Sequence, residues 1–408
     1  MMDASAPAQP TPIDDVLAVV RTHAAPLPDE TVPLAGALGR VLRETIVAPE
    51  DQPPFARSAV DGIAVRLDDP STTFRVVDHL RAGDWRPRAL APGEAVRIAT
   101  GAALPAEGLQ VVMIEDTVVE DGHARLLRRD SVRHVRERGE DCRRGQPLLT
   151  APTRLSTGAL ALLASLGLAA PVVARLPRIV HVATGNEIVP PDQTPAAGQI
   201  RDSNSTLVRA FLAARGLAVV QHRAPEDFAA AAALLRDPAG GAPEADLLLI
   251  SGGASVGEHD FTRRLLAELG YEILVSKAAS RPGKPLLVAR RGAALAFGLP
   301  GNPLAHYACL HLFVQAALDG FAGLPAASPF RTGALAAELD NEGAGRETLW
   351  PAHVSCASGT VTLEPLRWIS SGDLSSLGRA SALIRVPAGA GRLARGAIVP
   401  FVSTVPPA

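Results

Sequence analysis

The sequence predicts a multidomain α/β-plus-β protein: a doubly wound α/β domain, an inserted mainly β domain, a discontinuous helical/β linker domain and a small C-terminal β-barrel. Three observations predict it. The chain has 408 residues, too many for one ordinary core at roughly 150 residues per domain. From Arg178 to Asp319 short apolar runs alternate with helical patterns, the signature of strands joined by crossover helices in a mostly parallel sheet. On both sides of that segment, residues 48–144 and the stretch beyond Pro325 carry short β-branched runs broken by Gly, Pro and Asp, which is how a β domain with many loops reads.

Taken in order, Thr11-Pro12 followed by Asp14, Asp15, Val16, Leu17, Val19 and Val20 predicts a capped amphipathic helix. Residues 74–77, 96–99, 111–114 and 117–119 predict strands of the inserted domain, and residues 156–166, ending before Gly167, predict a helix with a glycine stop. The α/β segment then predicts a strand over 179–183, a helix over 203–214 capped by Asp202 or Ser203, and a strand over 217–221. A helix over 225–235, with Glu226 and Asp227 in its first turn, a buried strand over 246–250 and a helix over 260–269 follow. A strand over 294–298 and a helix over 304–318 complete it. Five further runs, 331–339, 348–354, 359–363, 382–386 and 397–402, predict the C-terminal barrel. The sequence divides into a linker domain of residues 1–47 and 145–176, an inserted domain of 48–144, an α/β domain of 177–325 and a C-terminal domain of 326–408. No internal repeat interrupts this plan.

Composition excludes several functions. A net charge of −2 argues against a nucleic-acid partner, because such proteins carry a basic excess. Cys142, Cys309 and Cys356 are far apart and lack metal-ligand spacing, which fits a reduced, cytoplasmic compartment. The first residues have neither a basic nor an apolar signal region, and the apolar runs are too short and too rich in Ala and Gly to span a bilayer. Of the 40 basic residues only Lys277 and Lys284 are lysines, seven positions apart and beside a Pro-Gly-Lys-Pro loop. A compact ammonium at these points would serve where a planar guanidinium would not.

The chemistry gathers in three loops that follow predicted strands directly: Thr184-Gly185-Asn186-Glu187, Ser251-Gly252-Gly253-Ala254-Ser255 and Pro300-Gly301-Asn302-Pro303. Ligands of open α/β sheets bind beyond the carboxyl ends of the strands. Glycine lets backbone N–H groups approach an anion, and the following helix adds its positive end. One such loop is an ordinary turn; three at successive strand ends predict a phosphate-bearing ligand. None matches a dinucleotide fingerprint or a P-loop. Glu187, Asp202 and Asp260 lie beside these loops. Each alone reads as a helix cap or first-turn charge, and as a set they could hold a Mg²⁺ bridging phosphates. Lys277, Arg281 and Lys284 would supply charge for an oxyanion. By local physics alone, Asp61-Gly62, Arg97-Ile98-Ala99-Thr100-Gly101 and Arg138-Gly139-Glu140-Asp141 are turns. His306 and His311 are five apart on a predicted helix, off the spacing of two metal ligands, and read as structural or surface groups.

Together these segments resemble one known family, the molybdopterin molybdenumtransferases, that is, the MoeA proteins and the gephyrin E-domain. The motifs are SAVDGIAV (58–65), RIATGAALP (97–105), RGED (138–141), ATGNEI (183–188), DSN (202–204), SGGASVGEHD (251–260), RPGKP (281–285) and GLPGNP (298–303). The resemblance covers nearly the whole chain. It implies an elongated homodimer of four-domain subunits and transfer of molybdate onto adenylylated molybdopterin, with release of AMP and a need for Mg²⁺. It implies a catalytic set of Asp61, Thr100, Glu187, Asp260, Lys277 and Arg281, and pterin contacts at Thr184, Gly185, Asp202, Ser203, Asn204, Ser251, Gly252, Gly253, Ser255 and Pro300 to Pro303. Molybdate would meet Lys284, Pro285, Arg346 and Ser371, and the metal Asp260, Glu187 and Asp227. Other cofactor-assembly proteins and molybdoenzymes are implied partners. The site is expected between the α/β domain of one subunit and the inserted and C-terminal domains of its partner.

The chain departs from the family pattern at Arg57, Val60, Ile63, Asn186, Arg281 and Ala305, and at Pro351 where an arginine is usual and Arg346 is the nearest substitute. Two alternatives to the transferase follow: a non-catalytic molybdopterin carrier or scaffold, and a transferase for the nearly isosteric tungstate.

Overall fold

The computed structural model describes residues 9–225, 227–237, 242–252, 259–342, 345–357 and 359–405. They form two compact units. No helix among the described residues is long and apolar enough to cross a membrane.

One unit comprises Glu44–Ala151 and Thr157–Pro171. Its main sheet has six strands in the order Leu109–Met113, Gly62–Arg66, Glu94–Ile98, Thr73–Leu80, His123–Leu126, Thr117–Glu120. All neighbours are antiparallel except Thr73–Leu80 against Glu94–Ile98. Strand alternation buries both faces: Ala64, Val96 and Val111 in one layer, Ile63, Val65 and Val112 in the other. The predicted strands are present, each one to four residues longer. The predicted helix over 156–166 is helix α2, Thr157–Ser165.

The second unit comprises the N-terminal 43 residues, Pro152–Ser156 and Val172–Ala408. Helix α1, Ile13–His23, buries Ile13, Val16, Leu17 and Val20 in the largest core. Pro12 stands at its N-cap without a side-chain cap; Thr11 instead bridges to Ala278. Four short strands, Asp29–Thr31, Val172–Ala174, Val41–Leu42 and Thr153–Arg154, make a small sheet. The α/β sheet has the order Val220–Ala224, Ile179–Thr184, Leu247–Ser251, Ala294–Leu299, Leu287–Arg291, Glu272–Val275. The first four run parallel, Leu287–Arg291 runs against its two neighbours, and these last two strands of the order were not anticipated. Residues on Ile179–Thr184 and Leu247–Ser251 alternate between two cores, so both faces are covered, as a parallel sheet requires.

Helix α3, Ser203–Ala213, starts where expected because the Asp202 carboxylate accepts the Ser205 N–H at 2.9 Å. Helix α4 is Phe228–Arg236, three residues later than expected, and the strand predicted over 217–221 is Val220–Ala224. Helix α5 is His259–Glu268. The helix after Pro300-Gly301-Asn302 runs as α6, Pro303–Cys309, continues through a π-helical turn at Leu310–Val314, and ends as α7, Gln315–Phe321. At the C-terminal end, strands Glu347–Ala357, Thr360–Pro365, Arg331–Leu335, Ile398–Ser403 and Ala382–Val386 close into a barrel, because Glu347–Ala357 pairs with both Thr360–Pro365 and Ala382–Val386. The short strand Ser280–Arg281 joins its edge, Ser280 opposite Glu347. Asp14 of α1 is tied to the barrel by Arg385, whose guanidinium donates to both its oxygens at 3.0 and 2.8 Å.

Candidate functional site

Four parallel strands present their carboxyl ends to one edge of the α/β sheet, and a cavity of about 610 Å³ lies there. Three of the loops leaving those ends line it: Thr184 and Glu187 from the first, Ser251 and Gly252 from the second, and Pro300, Gly301, Asn302 and Pro303 from the third. Gly185 sits in the first loop. Gly252 has φ +95°, and a Cβ there would stand 2.2 Å from the Thr184 carbonyl oxygen. Only glycine lets these two loops approach so closely. The loops are also cross-linked: Thr184 Oγ1 donates to Ser251 O at 3.2 Å and Asn204 Nδ2 donates to Gly301 O at 2.7 Å. Asp202, Ser203 and Asn204 line the cavity from the start of α3.

The other wall comes from Arg281, Pro282, Gly283, Lys284 and Pro285, with Arg346, Trp368, Ser370 and Ser371 from the barrel region. Pairing of Ser280–Arg281 with the barrel edge puts these segments together. Arg346 donates to Ser280 O at 3.0 Å, the Arg281 guanidinium lies 5.2 Å over the Trp368 ring, and Asn302 Nδ2 donates to Ser371 Oγ at 2.8 Å. These contacts are made within one chain. Arg346 is at the cavity wall.

Among the described residues the lining carries four cations, Arg201, Arg281, Lys284 and Arg346, against Glu187 and Asp202. Asp202 is committed to α3, accepting from both Ser205 N and Ser205 Oγ. Glu187 is exposed toward the cavity. Among the described residues the surplus at the cavity is therefore positive, in a chain whose net charge is −2. Arg201, Ile188, Ile200, Trp368 and Ser370 were not singled out from the sequence, although Arg201 directly precedes DSN and Ser370 directly precedes Ser371.

Several expected positions stand apart from this cavity. Lys277 does not line it; its carbonyl accepts the Thr11 N–H at 2.8 Å and its side chain is half-buried elsewhere. Asp227 caps α4, accepting from Ala230 N at 2.7 Å, and is not a cavity residue. Gly253, Ala254 and Ser255 lie outside the described residues, and so does the side chain of Asp260. In the other unit Asp61 Oδ1 accepts the Thr100 N–H at 2.8 Å, so this pair does come together. Asp141 is paired with Arg136. Among the described residues no cluster of three His, Cys, Asp or Glu could hold a metal. His306 and His311 are buried, which excludes the surface reading: His306 Nδ1 lies 3.0 Å from Pro300 O, and His311 stands edge-on to Phe211. Burial lowers their pKa values to about 4 and about 3, so both are neutral.

Comparison with known proteins gives one consistent result. The family model described as MoeA N-terminal region (domain I and II) matches residues 11–167, the one described as probable molybdopterin binding domain matches 181–320, and MoeA C-terminal region (domain IV) matches 335–403. A molybdopterin molybdenumtransferase of Bacillus subtilis is 35% identical over 323 residues, covering 75% of this chain and 74% of its own. One of Staphylococcus epidermidis is 30% identical over 378 residues, covering 90% of this chain and 89% of its own. The crystal structure of a molybdopterin biosynthesis MoeA protein from Pyrococcus horikoshii superposes with a TM-score of 0.80 at 28% identity, covering 98% of this chain and 100% of that one.

Proposed function

Because this chain belongs to the MoeA family, we propose that it is a transferase of molybdenum cofactor biosynthesis, a molybdopterin molybdenumtransferase that inserts molybdate into adenylylated molybdopterin with release of AMP. The observation that carries this reading is the meeting of the three strand-end loops with Arg281, Lys284, Arg346 and Ser371 around one cavity. A phosphate-bearing pterin needs N–H and O–H donors at close approach; the loops at Thr184, Ser251 and Gly252 supply them. An oxyanion needs compact positive charge; Lys284, exposed and without a side-chain partner among the described residues, supplies it beside Arg346. Arg281 is held over Trp368 and sets the entrance to the same wall.

The donor set also fits Mg²⁺. That ion keeps most of its waters and takes one or two protein carboxylates plus substrate phosphates, and Glu187 offers one carboxylate at the cavity. Bound there, it would neutralise phosphate charge. Glu187 would hold it; Asp202 keeps α3 and its first N–H groups in place. Asp61 and Thr100 complete the proposed catalytic set on the strength of the resemblance, with a homodimer as the working unit.

The test is AMP release from adenylylated molybdopterin by the pure protein. Release that depends on molybdate supports the transferase. Binding of molybdopterin without any molybdate-dependent release would sink it and leave a carrier. Tungstate competing on equal terms in the same assay would widen the substrate to both oxyanions.

A further inference from the structure

Behind the cavity wall a hydrogen-bond chain runs from the exposed Arg209 inward to the buried Ser251. His181, on the strand Ile179–Thr184, is fully buried. Its parallel-register neighbour on the edge strand is Gln221. His181 Nε2 lies 2.6 Å from Ser251 Oγ, and Gln221 Nε2 lies 3.0 Å from His181 Nδ1. Gln221 is itself fixed from α3: Arg209 donates to Gln221 Oε1 through Nε at 2.8 Å and Nη2 at 2.5 Å, and Gln221 Nε2 donates to Ser205 O at 2.9 Å.

The proton positions follow from what each group can do. A guanidinium only donates, so the Gln221 atom facing Arg209 is its oxygen. A backbone carbonyl only accepts, so the atom facing Ser205 O is the amide nitrogen. That nitrogen therefore donates to His181 Nδ1, which must carry a lone pair. Burial, with Arg209 and His306 nearby, lowers the His181 pKa to about 3, so the ring is neutral and its one proton is on Nε2. Nε2–H then donates to Ser251 Oγ. The Ser251 hydroxyl proton is left over. Among the described residues it has no acceptor, and Ser251 lines the cavity.

We propose that His181 and Gln221 are positioning residues which, with Arg209, hold Ser251 as an obligatory hydrogen-bond donor to an anionic oxygen of the bound ligand. This rests on the phosphate-bearing ligand proposed above and deepens it. Neither the ordinary β-strand role of His181 nor α3 packing calls for this proton order: a histidine filling space would accept either tautomer.

Gln221→Glu tests it with almost no change of shape. A carboxylate has no proton to give Nδ1, so the ring proton moves to Nδ1 and Nε2 accepts from Ser251, which consumes the donor. With 15N-histidine labelling, the His181 Nδ1 and Nε2 shifts are expected to exchange character. Affinity is measured for two probes, AMP and molybdopterin, which separate an adenylate oxygen from a pterin phosphate oxygen. It should fall about tenfold or more for one of them, the loss expected for a hydrogen bond to a charged group. In a Ser251→Ala background the same change should add no more than about twofold, the usual limit of additivity. His181→Gln, which still offers an N–H to Ser251, should keep more affinity than His181→Leu. An unchanged tautomer in Gln221→Glu, or an equal loss with and without Ser251, would overturn the proposal. Wild-type protein that binds neither probe would instead overturn the ligand reading, while the 15N spectrum would still decide the proton order.

Discussion

The two sheets handle their loops in opposite ways. In the α/β sheet four parallel strands all end at one edge, so the loops after Thr184, Ser251 and Leu299 gather on one cavity. In the other unit the six-stranded sheet is almost wholly antiparallel, and its turns alternate between edges. There the sequence motifs meet only in pairs. Asp61, just before Gly62, reaches Thr100, just after Ile98, because Gly62 and Ile98 are antiparallel partners. A parallel sheet collects backbone donors for a large anion; an antiparallel one presents a carboxylate held in place by its neighbour. That contrast explains why the loops gather round a cavity in one sheet and hold a single carboxylate in the other.

The strongest way to break the contrast is to push the gathered loops apart. Gly252→Ala places a Cβ 2.2 Å from the Thr184 carbonyl at a φ of +95°. Strain of that kind costs about 1–3 kcal/mol before the clash is counted, so molybdopterin affinity should fall by about a hundredfold; titration of the purified variant measures it, and unchanged affinity would mean the loops do not form the ligand's seat. Next comes the lysine pair. Lys284→Ala should raise the molybdate KM about ten- to thirtyfold, the cost of one charge-assisted contact. Lys277→Ala, away from the cavity, should change it by less than about threefold. Equal effects in a steady-state assay would put Lys277 back in the site.

How much of this could be read in advance follows the same division. The three loops were legible because Gly, Ser and Asn stand directly after apolar runs, and the start of α3 was legible because Asp202 is a capping residue. The strands Glu272–Val275 and Leu287–Arg291 were not, since one has four residues and the other ends in two arginines, leaving little apolar pattern to see. The edge strand was placed three residues early: Leu217 and Val219 are apolar and pack on the core, but they lie before the paired segment Val220–Ala224, which carries Gln221, His222 and Arg223. The cavity's second wall depends on Ser280–Arg281 pairing with Glu347–Ala357 across more than sixty positions, and no local pattern announces that. Lys277 and Lys284 are close in sequence, but the turn between them, closed by Ala278 N donating to Lys284 O at 3.0 Å, leaves only Lys284 at the cavity.

A smaller effect separates the two ends of one strand. Asp246 directly precedes Leu247–Ser251, at the end away from the cavity. Burial raises its pKa, but hydrogen bonds from the Arg175 guanidinium at 2.9 Å and from Arg178 N at 2.7 Å outweigh that and hold it below the ordinary carboxylate value. A depressed folded pKa means stability that is present above the unfolded value of about 4 and lost as pH falls through the folded one. Asp246→Asn should therefore cost about 1–2 kcal/mol at pH 7 and flatten the loss of stability below about pH 4. Denaturant unfolding at a series of pH values checks it, and AMP affinity at pH 7 should stay within about twofold.

The smallest expected effect sharpens the other half of the contrast. Asp61 Oδ1 accepts the backbone N–H of Thr100, so Asp61→Ala leaves that N–H without its partner and should lower stability by about 1 kcal/mol. Asp61→Asn keeps an oxygen at the same place and should leave the melting temperature nearly unchanged while removing the charge. Thr100→Ala keeps the N–H, because the bond uses the main chain, and should also be neutral in stability. If Asp61 serves the reaction as a carboxylate, turnover must fall in Asp61→Asn although its melting temperature does not. If turnover survives in Asp61→Asn and is lost only in Asp61→Ala, the residue acts by holding the Thr100 turn, and the antiparallel sheet contributes a shape and not a charge.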